Sequence, residues 1–253
     1  MAGTRARALA WRLEKVGRVG STSELALERA REGSPEGLVI WAESQEMGRG
    51  RLGRSWTSPP GCGLYFSVLL RPAVPGEHLA SISLVAAVAM AEGLSGVCGL
   101  AVGLKWPNDL RIEGKKVGGI LLDFEPKGGK RPAVVAGIGI NLRTPPGGFP
   151  EKFAERATSL ERAGCRFPEE GEMIGGLLER LEQWYRTFLD SGFDPVRERW
   201  EALSDGIGSR VSVSLAGDPA EGKMAGIDAA GRLLLDTGGG KLLSVDAGEI
   251  IES

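Results

Sequence analysis

Apolar residues recur at helical intervals in four stretches of this chain, and polar or glycine-containing segments separate them. Spacings of three and four residues predict helices with an apolar face. The first stretch begins with Ser21 and Glu24 at the spacing of a capping box, which is typical of a helix start. The predicted helices cover about residues 21–33, 77–94, 173–192 and 195–203.

Short apolar runs between these helices predict five strands. They lie at 38–42, 64–70, 100–105, 117–124 and 133–142. The last two are separated by a loop at 126–132 whose proline and glycine content favours a hairpin. Consecutive strands with short turns imply an antiparallel sheet.

Four glycines interrupt the interiors of the last two predicted strands, at positions 118, 119, 137 and 139. Glycine weakens a strand, and it often marks a bulge or a place where a ligand lies against the backbone. We therefore expect a cleft on one face of the sheet.

The pattern changes from Gly206 onward, where only short strand-like runs remain. They lie at 210–215, 222–227, 232–236 and 241–245, with Gly, Asp and Pro turns between them. This pattern predicts a small β-barrel over residues 206–253, following a larger domain over residues 1–205.

The charge balance excludes a general affinity for nucleic acid or for an anionic membrane. The chain has 31 basic and 33 acidic residues and a pI of about 5.7. Such a surface has no overall positive potential. The N-terminal residues lack the apolar core of a signal peptide, and no apolar run approaches the length of a membrane span.

The cysteines and the single histidine restrict the chemistry. Cys62, Cys98 and Cys165 are an odd number without metal-like spacing, which predicts free thiols in a reducing compartment, by default the cytoplasm. His78 is expected at the surface or at a helix cap, because no partners for a Ser-His-Asp or Cys-His site are evident.

The segment that bears most directly on function is residues 48–56, Gly-Arg-Gly-Arg-Leu-Gly-Arg-Ser-Trp, here named the arginine loop. Glycines let backbone N–H groups approach a ligand, and arginines suit carboxylate or phosphate. The letters fit a dinucleotide fingerprint and, with Arg54 for lysine, a P-loop. Both motifs must open a helix, and residues 56–61 (Trp-Thr-Ser-Pro-Pro-Gly) cannot continue one. An anion-binding loop and a solvated Arg-Gly loop remain as alternatives.

Further segments stand in a fixed order around this loop. They are 21–23 (Ser-Thr-Ser), Gln45, 105–110 (Lys-Trp-Pro-Asn-Asp-Leu), 116–121 (Lys-Val-Gly-Gly-Ile-Leu) and 137–142 (Gly-Ile-Gly-Ile-Asn-Leu). Together with the arginine loop, this set resembles the biotin protein ligases (biotin–[acetyl-CoA-carboxylase] ligases). Residues 222–228 and 231–235 are similar to the C-terminal barrel of that family, so the resemblance spans nearly the whole chain.

The resemblance implies an α+β catalytic domain similar to class II aminoacyl-tRNA synthetases, with a mixed, mainly antiparallel sheet, followed by an SH3-like barrel. It also implies a two-step reaction. Biotin and ATP give biotinyl-5′-AMP and pyrophosphate, and a lysine of a biotin carboxyl carrier protein, an acetyl-CoA carboxylase subunit, then accepts the biotinyl group and releases AMP. The protein is expected to supply cations and hydrogen-bond donors rather than a nucleophile.

The resemblance assigns residues to each ligand. Those implied for biotin are Ser21, Thr22, Ser23, Gln45, Arg49, Gly50, Arg51 and Lys116. Those implied for ATP or the adenylate are Arg54, Trp56, Lys105, Asn108 and Asn141, with Asp109 for Mg²⁺. Lys116, Arg51 and Lys105 are the expected catalytic cations. Taken singly, Ser21 also fits a helix cap, Trp56 a core aromatic and residues 108–109 an ordinary turn.

Two departures from the family qualify the resemblance. Ser23 stands where many relatives carry Asn, Gln or Met. Only about twenty residues precede Ser21, too few for the helix-turn-helix domain of the regulatory members, so DNA binding is not expected.

Relatives often pair through sheet edges, so a homodimer is one expected state. Alternatives are a lipoate or octanoate ligase or transferase on a related fold, and a non-catalytic biotin-binding or nucleic-acid-binding module.

Overall fold

A mixed seven-stranded sheet forms the centre of the larger domain. The computed structural model describes residues 9–125, 132–214 and 219–251. The strands are β1 (Arg12–Val19), β2 (Leu38–Gln45), β3 (Gly63–Leu70), β4 (Gly103–Lys105), β5 (Asp109–Ile112), β6 (Lys115–Glu125) and β7 (Ala133–Asn141), in the spatial order β1-β2-β3-β7-β6-β5-β4. Only β1 and β2 pair in parallel. The predicted α+β class with a mixed, mainly antiparallel sheet is confirmed. Most of the predicted loop at 126–132 lies outside the described residues.

All four predicted helices are present. They are α1 (Thr22–Arg31), α2 (Ile82–Cys98), α3 (Glu170–Ser191) and α4 (Asp194–Leu203). The start of α1 differs from its prediction, because Ser21 occupies the N-cap position but its side chain makes no capping hydrogen bond. The predicted capping box is therefore wrong. Ser21 is buried at the wall of the cavity described below.

Helices cover both faces of the sheet. On one face α2, α3 and α4 enclose the main core, and α2 is buried almost all round because its residues are nearly all apolar or small. On the other face α1 packs on β2, β3, β6 and β7 through a smaller cluster that includes Ala26, Ala30 and Ile40.

One expectation about the chain's apolar runs is wrong. Residues 76–98 are long and apolar enough to cross a membrane by length and composition. However, within the most apolar 18 residues of this segment, 67% of the residues are buried inside the protein, as in a core helix. Length and composition alone are weak evidence for a membrane span, because a fully buried helix is hydrophobic on every side.

The strands from residue 210 onward form a separate antiparallel sheet. They are β8 (Arg210–Ser214), β9 (Ala220–Ile227), β10 (Leu233–Asp236), β11 (Leu242–Val245) and β12 (Glu249–Ile251), in the order β11-β10-β9-β8-β12. The end of the predicted strand at Leu215 lies outside the described residues. Among the described residues no pair joins β11 to β12, so the SH3-like module is seen as an open, five-stranded sheet.

The terminal sheet packs against the catalytic domain through specific polar contacts. The Glu201 carboxylate accepts from the Ile227 N–H at 3.0 Å, and the Trp106 indole N–H donates to the Gly231 carbonyl at 3.3 Å. Arg54 of the arginine loop donates to both carboxylate oxygens of Glu249, at 2.6 Å for the first pair of atoms. The hydrogen bond from Arg54 lowers the pKa of Glu249 below its ordinary value. β12 is thereby tied to the arginine loop.

Two of the three cysteines are joined, which contradicts the prediction of free thiols. Cys98, at the end of α2, forms a disulfide with Cys165, and only Cys62 is free. The two partners are 67 residues apart in sequence, so their spacing gives no sign of the pairing, which the folded chain creates by bringing the Cα atoms to 4.9 Å. The thiol argument for a reducing compartment therefore does not hold for this pair.

Labelling of the denatured, non-reduced protein with a maleimide will add one label per chain, at Cys62. Disulfides that close long loops stabilise a fold by about 2–4 kcal/mol. We therefore expect Cys98→Ser to lower the free energy of unfolding by that amount in urea titrations, with Cys62→Ser as the control that leaves the crosslink intact. Three labels on the non-reduced wild-type chain would contradict the assignment.

The Arg54–Glu249 pair will stabilise the protein only above the pKa of Glu249. A carboxylate whose pKa is lowered on folding contributes stability above its ordinary value of 4.5, and this contribution is lost as the pH falls through the lowered value. Glu249→Gln should therefore lower the Tm at pH 7 but leave it unchanged at about pH 2, where both states are protonated. Glu221→Gln, at an exposed carboxylate of the same sheet, is the control. A Tm difference that persists in acid would contradict the assignment.

Candidate active site

A cavity of about 810 Å³ opens between the large sheet, the arginine loop and β12. Every residue that the sequence singled out for a ligand lines it. These residues are Ser21, Thr22, Ser23, Gln45, Arg49, Gly50, Arg51, Arg54, Trp56, Lys105, Asn108, Asp109, Lys116 and Asn141. The fold thus gathers segments from six parts of the chain, while the role of each residue toward a ligand stays a prediction.

Hydroxyl and amide groups form a connected network at the start of α1. The Thr22 N–H and the Thr22 hydroxyl both donate to Gln45 Oε1, at 2.9 and 3.1 Å. Gln45 Nε2 donates to Ser58 Oγ at 2.9 Å. Behind them, Ser67 Oγ lies 2.8 Å from the Thr22 hydroxyl and 3.0 Å from that of Ser23. The network holds Thr22, Ser23 and Gln45 in fixed orientations before any ligand binds.

Two glycines of β7 make room for the groups above them. A Cβ on Gly137 would lie 2.4 Å from Ser23 Oγ, and a Cβ on Gly139 would lie 2.6 Å from the Trp56 indole. Residues two apart on a strand point to the same face and are separated by about 7 Å. The hydroxyl network and the indole therefore lie side by side over bare backbone. Gly137 and Gly139 also line the cavity, so a cleft does lie on one face of the sheet, as expected.

The arginine loop is folded back on itself and leads into no helix. The Gly50 N–H donates to the Arg54 carbonyl at 2.7 Å, and the Trp56 N–H donates to the Gly48 carbonyl at 2.7 Å. Between them, Arg51–Gly53 form one 3₁₀ turn in which Leu52 has a positive φ of 55°. The exclusion of the dinucleotide and P-loop motifs is correct, because residues 56–61 are not helical.

Each arginine of the loop already has a partner. Arg49 donates to Asp123 at 2.7 Å, and burial raises the pKa of that carboxyl even though Arg49 opposes the change. Arg51 approaches the Gly248 carbonyl at 3.4 Å, and burial lowers the pKa of its guanidinium. Arg54 is paired with Glu249, as described above. Carboxylate and carbonyl oxygens thus stand where the oxygens of an anionic ligand could bind.

Lys116 lies between Trp56 and Asp109. Its ammonium group is 2.5 Å from Asp109 Oδ1 and 5.5 Å from the centre of the Trp56 ring. The backbone of Lys116 is fixed as well, because its N–H donates to the Arg156 carbonyl and its carbonyl accepts from the Thr158 N–H. Lys116 is therefore a positioned cation, paired with a carboxylate in the absence of ligand.

The two asparagines use their amide N–H groups to hold backbone. Asn108 donates to the Ile120 carbonyl at 2.6 Å, and Asn141 donates to the Thr158 carbonyl at 3.0 Å. The first contact fixes the segment that carries Asp109, and the second fixes the segment that supports Lys116. Both asparagines have a structural task in addition to the nucleotide contact that was predicted.

Sequence reasoning missed several groups of this site. Glu249 reaches the cavity from β12, a strand that was not predicted, and Gly248 directly precedes that strand. Lys152 and Arg156 add two cations from the segment after β7. Ser67 stands behind the wall and is fully buried. These residues lie in no motif, and only the tertiary fold brings them together.

Family comparisons agree with this geometry. The sequence profile of the Biotin/lipoate A/B protein ligase family matches residues 16–141, and that of the biotin protein ligase C-terminal domain matches residues 206–251. The chain is 36% identical over 230 residues to the bifunctional ligase/repressor BirA of Bacillus subtilis, covering 90% of this chain and 71% of that protein. It is 35% identical over 252 residues to the biotin–[acetyl-CoA-carboxylase] ligase of Mycobacterium tuberculosis, covering 95% and 89% of the two chains.

Solved structures show the same architecture. The biotin protein ligase of Aquifex aeolicus, in complex with biotin and ATP, superposes with a TM-score of 0.80 at 30% identity and covers 94% of this chain and 97% of its own. Together with the two matched sequence profiles and the gathering of the predicted residues around one cavity, these similarities show that the chain belongs to the biotin protein ligase family.

Proposed function

We propose that this protein activates biotin with ATP and transfers the resulting biotinyl group to a lysine of a biotin carboxyl carrier protein of acetyl-CoA carboxylase. The observation that carries the proposal is that one cavity holds a hydroxyl–amide network beside a group of cations. The network suits the polar ureido ring, and the cations suit a carboxylate next to phosphates. The Aquifex aeolicus relative was solved in complex with biotin and ATP, which supports a site for both ligands.

In the first step a biotin carboxylate oxygen attacks the α-phosphorus of ATP. A carboxyl–phosphate bond forms, the bond between the α- and β-phosphates breaks, and pyrophosphate leaves with the electron pair. Negative charge develops on the phosphate oxygens, which Lys116, Lys105 and Arg51 are positioned to stabilise at the cavity wall. In this mechanism Lys116 exchanges its contact with Asp109 for one with the ligand.

In the second step a neutral lysine amine of the carrier attacks the acyl carbon of biotinyl-5′-AMP. An amide bond forms, the acyl–phosphate bond breaks, AMP leaves with the electron pair, and the amine loses a proton to solvent. Backbone and arginine N–H groups of the arginine loop are suited to hold the departing phosphate. No protein nucleophile is required in either step.

Mg²⁺ fits this site only together with the substrate. Asp109 is the one carboxylate assigned to it, and the described residues contain no group of three His, Cys, Asp or Glu side chains that could hold a metal ion. Mg²⁺ is commonly bound by one or two carboxylates plus substrate phosphates, whose charge it neutralises. Asp109 would therefore share the ion with ATP, after Lys116 has turned away from it.

The remaining expectations are proposals about the protein in the cell. A cytoplasmic location fits the need for ATP, and a homodimer would form through the edge strand β1 of the large sheet, because Ser204 and Asp205 cover the outer edge of β4 at Leu104. We expect no salt-dependent affinity for DNA.

Incubation with a biotin carrier domain, biotin, ATP and Mg²⁺ should increase the mass of the carrier by one biotinyl group, measured by intact-mass spectrometry. The increase should require ATP and should be absent when lipoate replaces biotin. A carrier that stays unmodified points first to a mismatched carrier, so biotinyl-adenylate is sought in the same sample. If the adenylate is absent as well, the ligase proposal fails.

Lys116→Ala should slow biotinyl-adenylate formation about 100-fold or more, because a single preorganised group at developing charge contributes on this scale. Biotin affinity, measured by calorimetry, should change little, since the hydroxyl network remains. Lys115→Ala removes the adjacent exposed lysine and serves as the matched control. Unchanged turnover in Lys116→Ala would remove Lys116 from the catalytic role.

A further inference from the structure

Ser67 is a buried polar residue that belongs to none of the sequence motifs and does not line the cavity. It lies on β3 with none of its surface exposed, between α1 and the sheet. Its hydroxyl is within hydrogen-bond distance of two cavity-lining hydroxyls, those of Thr22 and Ser23. A buried hydroxyl bonded to two others raises the question of which one donates.

Backbone groups determine the direction of hydrogen bonding at Gln45. The Thr22 N–H can only donate, so the Gln45 atom that it meets at 2.9 Å must be the oxygen. At the other end, Ser58 donates to the Trp56 carbonyl at 3.1 Å, so Ser58 Oγ is left to accept from Gln45 Nε2. The two contacts independently give the same orientation of the Gln45 amide.

This orientation then sets each hydroxyl proton in turn, because a hydroxyl has a single proton and two lone pairs. Thr22 donates its proton to Gln45 Oε1, so it must accept at Ser67. Ser67 donates to Thr22 and must therefore accept from Ser23. Ser23 has then given its only proton to Ser67. What Thr22 and Ser23 present to the cavity is lone pairs alone.

We propose that Ser67 is a positioning residue for ligand selection. By taking the Ser23 proton and giving its own to Thr22, it turns this part of the cavity into a surface that only accepts hydrogen bonds. The ligand chemistry that such a surface recognises is a pair of N–H donors, as in a cyclic urea. The inference deepens the proposed function and rests on it, because it names the group of biotin that would be read here.

The same arrangement of hydroxyl protons disfavours the binding of ligands without N–H groups. A dithiolane such as that of lipoate would bury the lone pairs of Thr22 and Ser23 without a donor. A site built to form hydrogen bonds rejects analogues that lack the partner far more strongly than an apolar pocket rejects a change in size. Ser67 would thus act on the choice between the two ligand classes of this wider family.

Ser67→Ala is the variant that tests this role. Without Ser67, the Ser23 proton is free to turn into the cavity and Thr22 loses a donor. We expect the KM for biotin in adenylate formation to rise about tenfold, the loss of roughly one hydrogen bond. The KM for desthiobiotin, which keeps both N–H groups, should rise by the same factor. The KM for ATP, kcat and the inhibition constant of lipoate should stay within twofold.

Two further variants complete the experiment. Ser81→Ala removes another buried hydroxyl, which donates to the Ala230 carbonyl at 3.5 Å away from the cavity wall, and should leave all constants unchanged. Ser67→Cys keeps a weak donor and should lie between wild type and Ser67→Ala. The proposal would be overturned if Ser67→Ala weakened the binding of biotin, lipoate and ATP equally, or if it weakened the binding of none of them. Failure of the wild-type protein to bind biotin would instead overturn the proposed function.

Discussion

The absence of a side chain at two positions of the central strand β7 is the constraint on which the site depends. Gly137 and Gly139 leave bare backbone on one face, and the start of α1 and the Trp56 indole rest directly on it. Any larger residue at either position would force a hydroxyl of the network or the indole to move. The weakening of the strand by two glycines is offset by its central place, since β7 pairs along its length with both β3 and β6.

A second general feature is that three cations of the cavity are paired with carboxylates of the protein. Arg49, Arg54 and Lys116 each contact a carboxylate, and the three carboxylates come from β6, β12 and β5. Unpaired buried charge is costly, whereas a paired cation can exchange one anionic partner for another at small net cost. The pairs of Arg49 and Arg54 also connect the arginine loop to β6 and β12, so the loop is ordered by contacts that a substrate would replace.

How far the sequence predicts this protein depends on whether a feature is local. Helices with a strong apolar period and strands with continuous apolar runs were found, and motifs at characteristic spacing identified the family and most of the cavity wall. β1 was missed because its residues are mostly exposed and charged, so the strand has no apolar run to reveal it. Glu249, Ser67 and the Cys98–Cys165 disulfide were missed for another reason. Each acquires its role only from a partner far away in sequence, and no spacing along the chain encodes such a contact.

The pairing of β12 with β8 has a consequence for the order of events during synthesis. Glu249–Ile251 lies some 200 residues after the arginine loop, yet it supplies a wall of the same cavity and the counter-charge for Arg54. A nascent chain that has already formed the large sheet can pair Arg49 with Asp123 but still lacks the counter-charge of Arg54 and one wall of the cavity. Completion of the cavity thus becomes a property of the late folding stage, which depends on the docking of the terminal sheet.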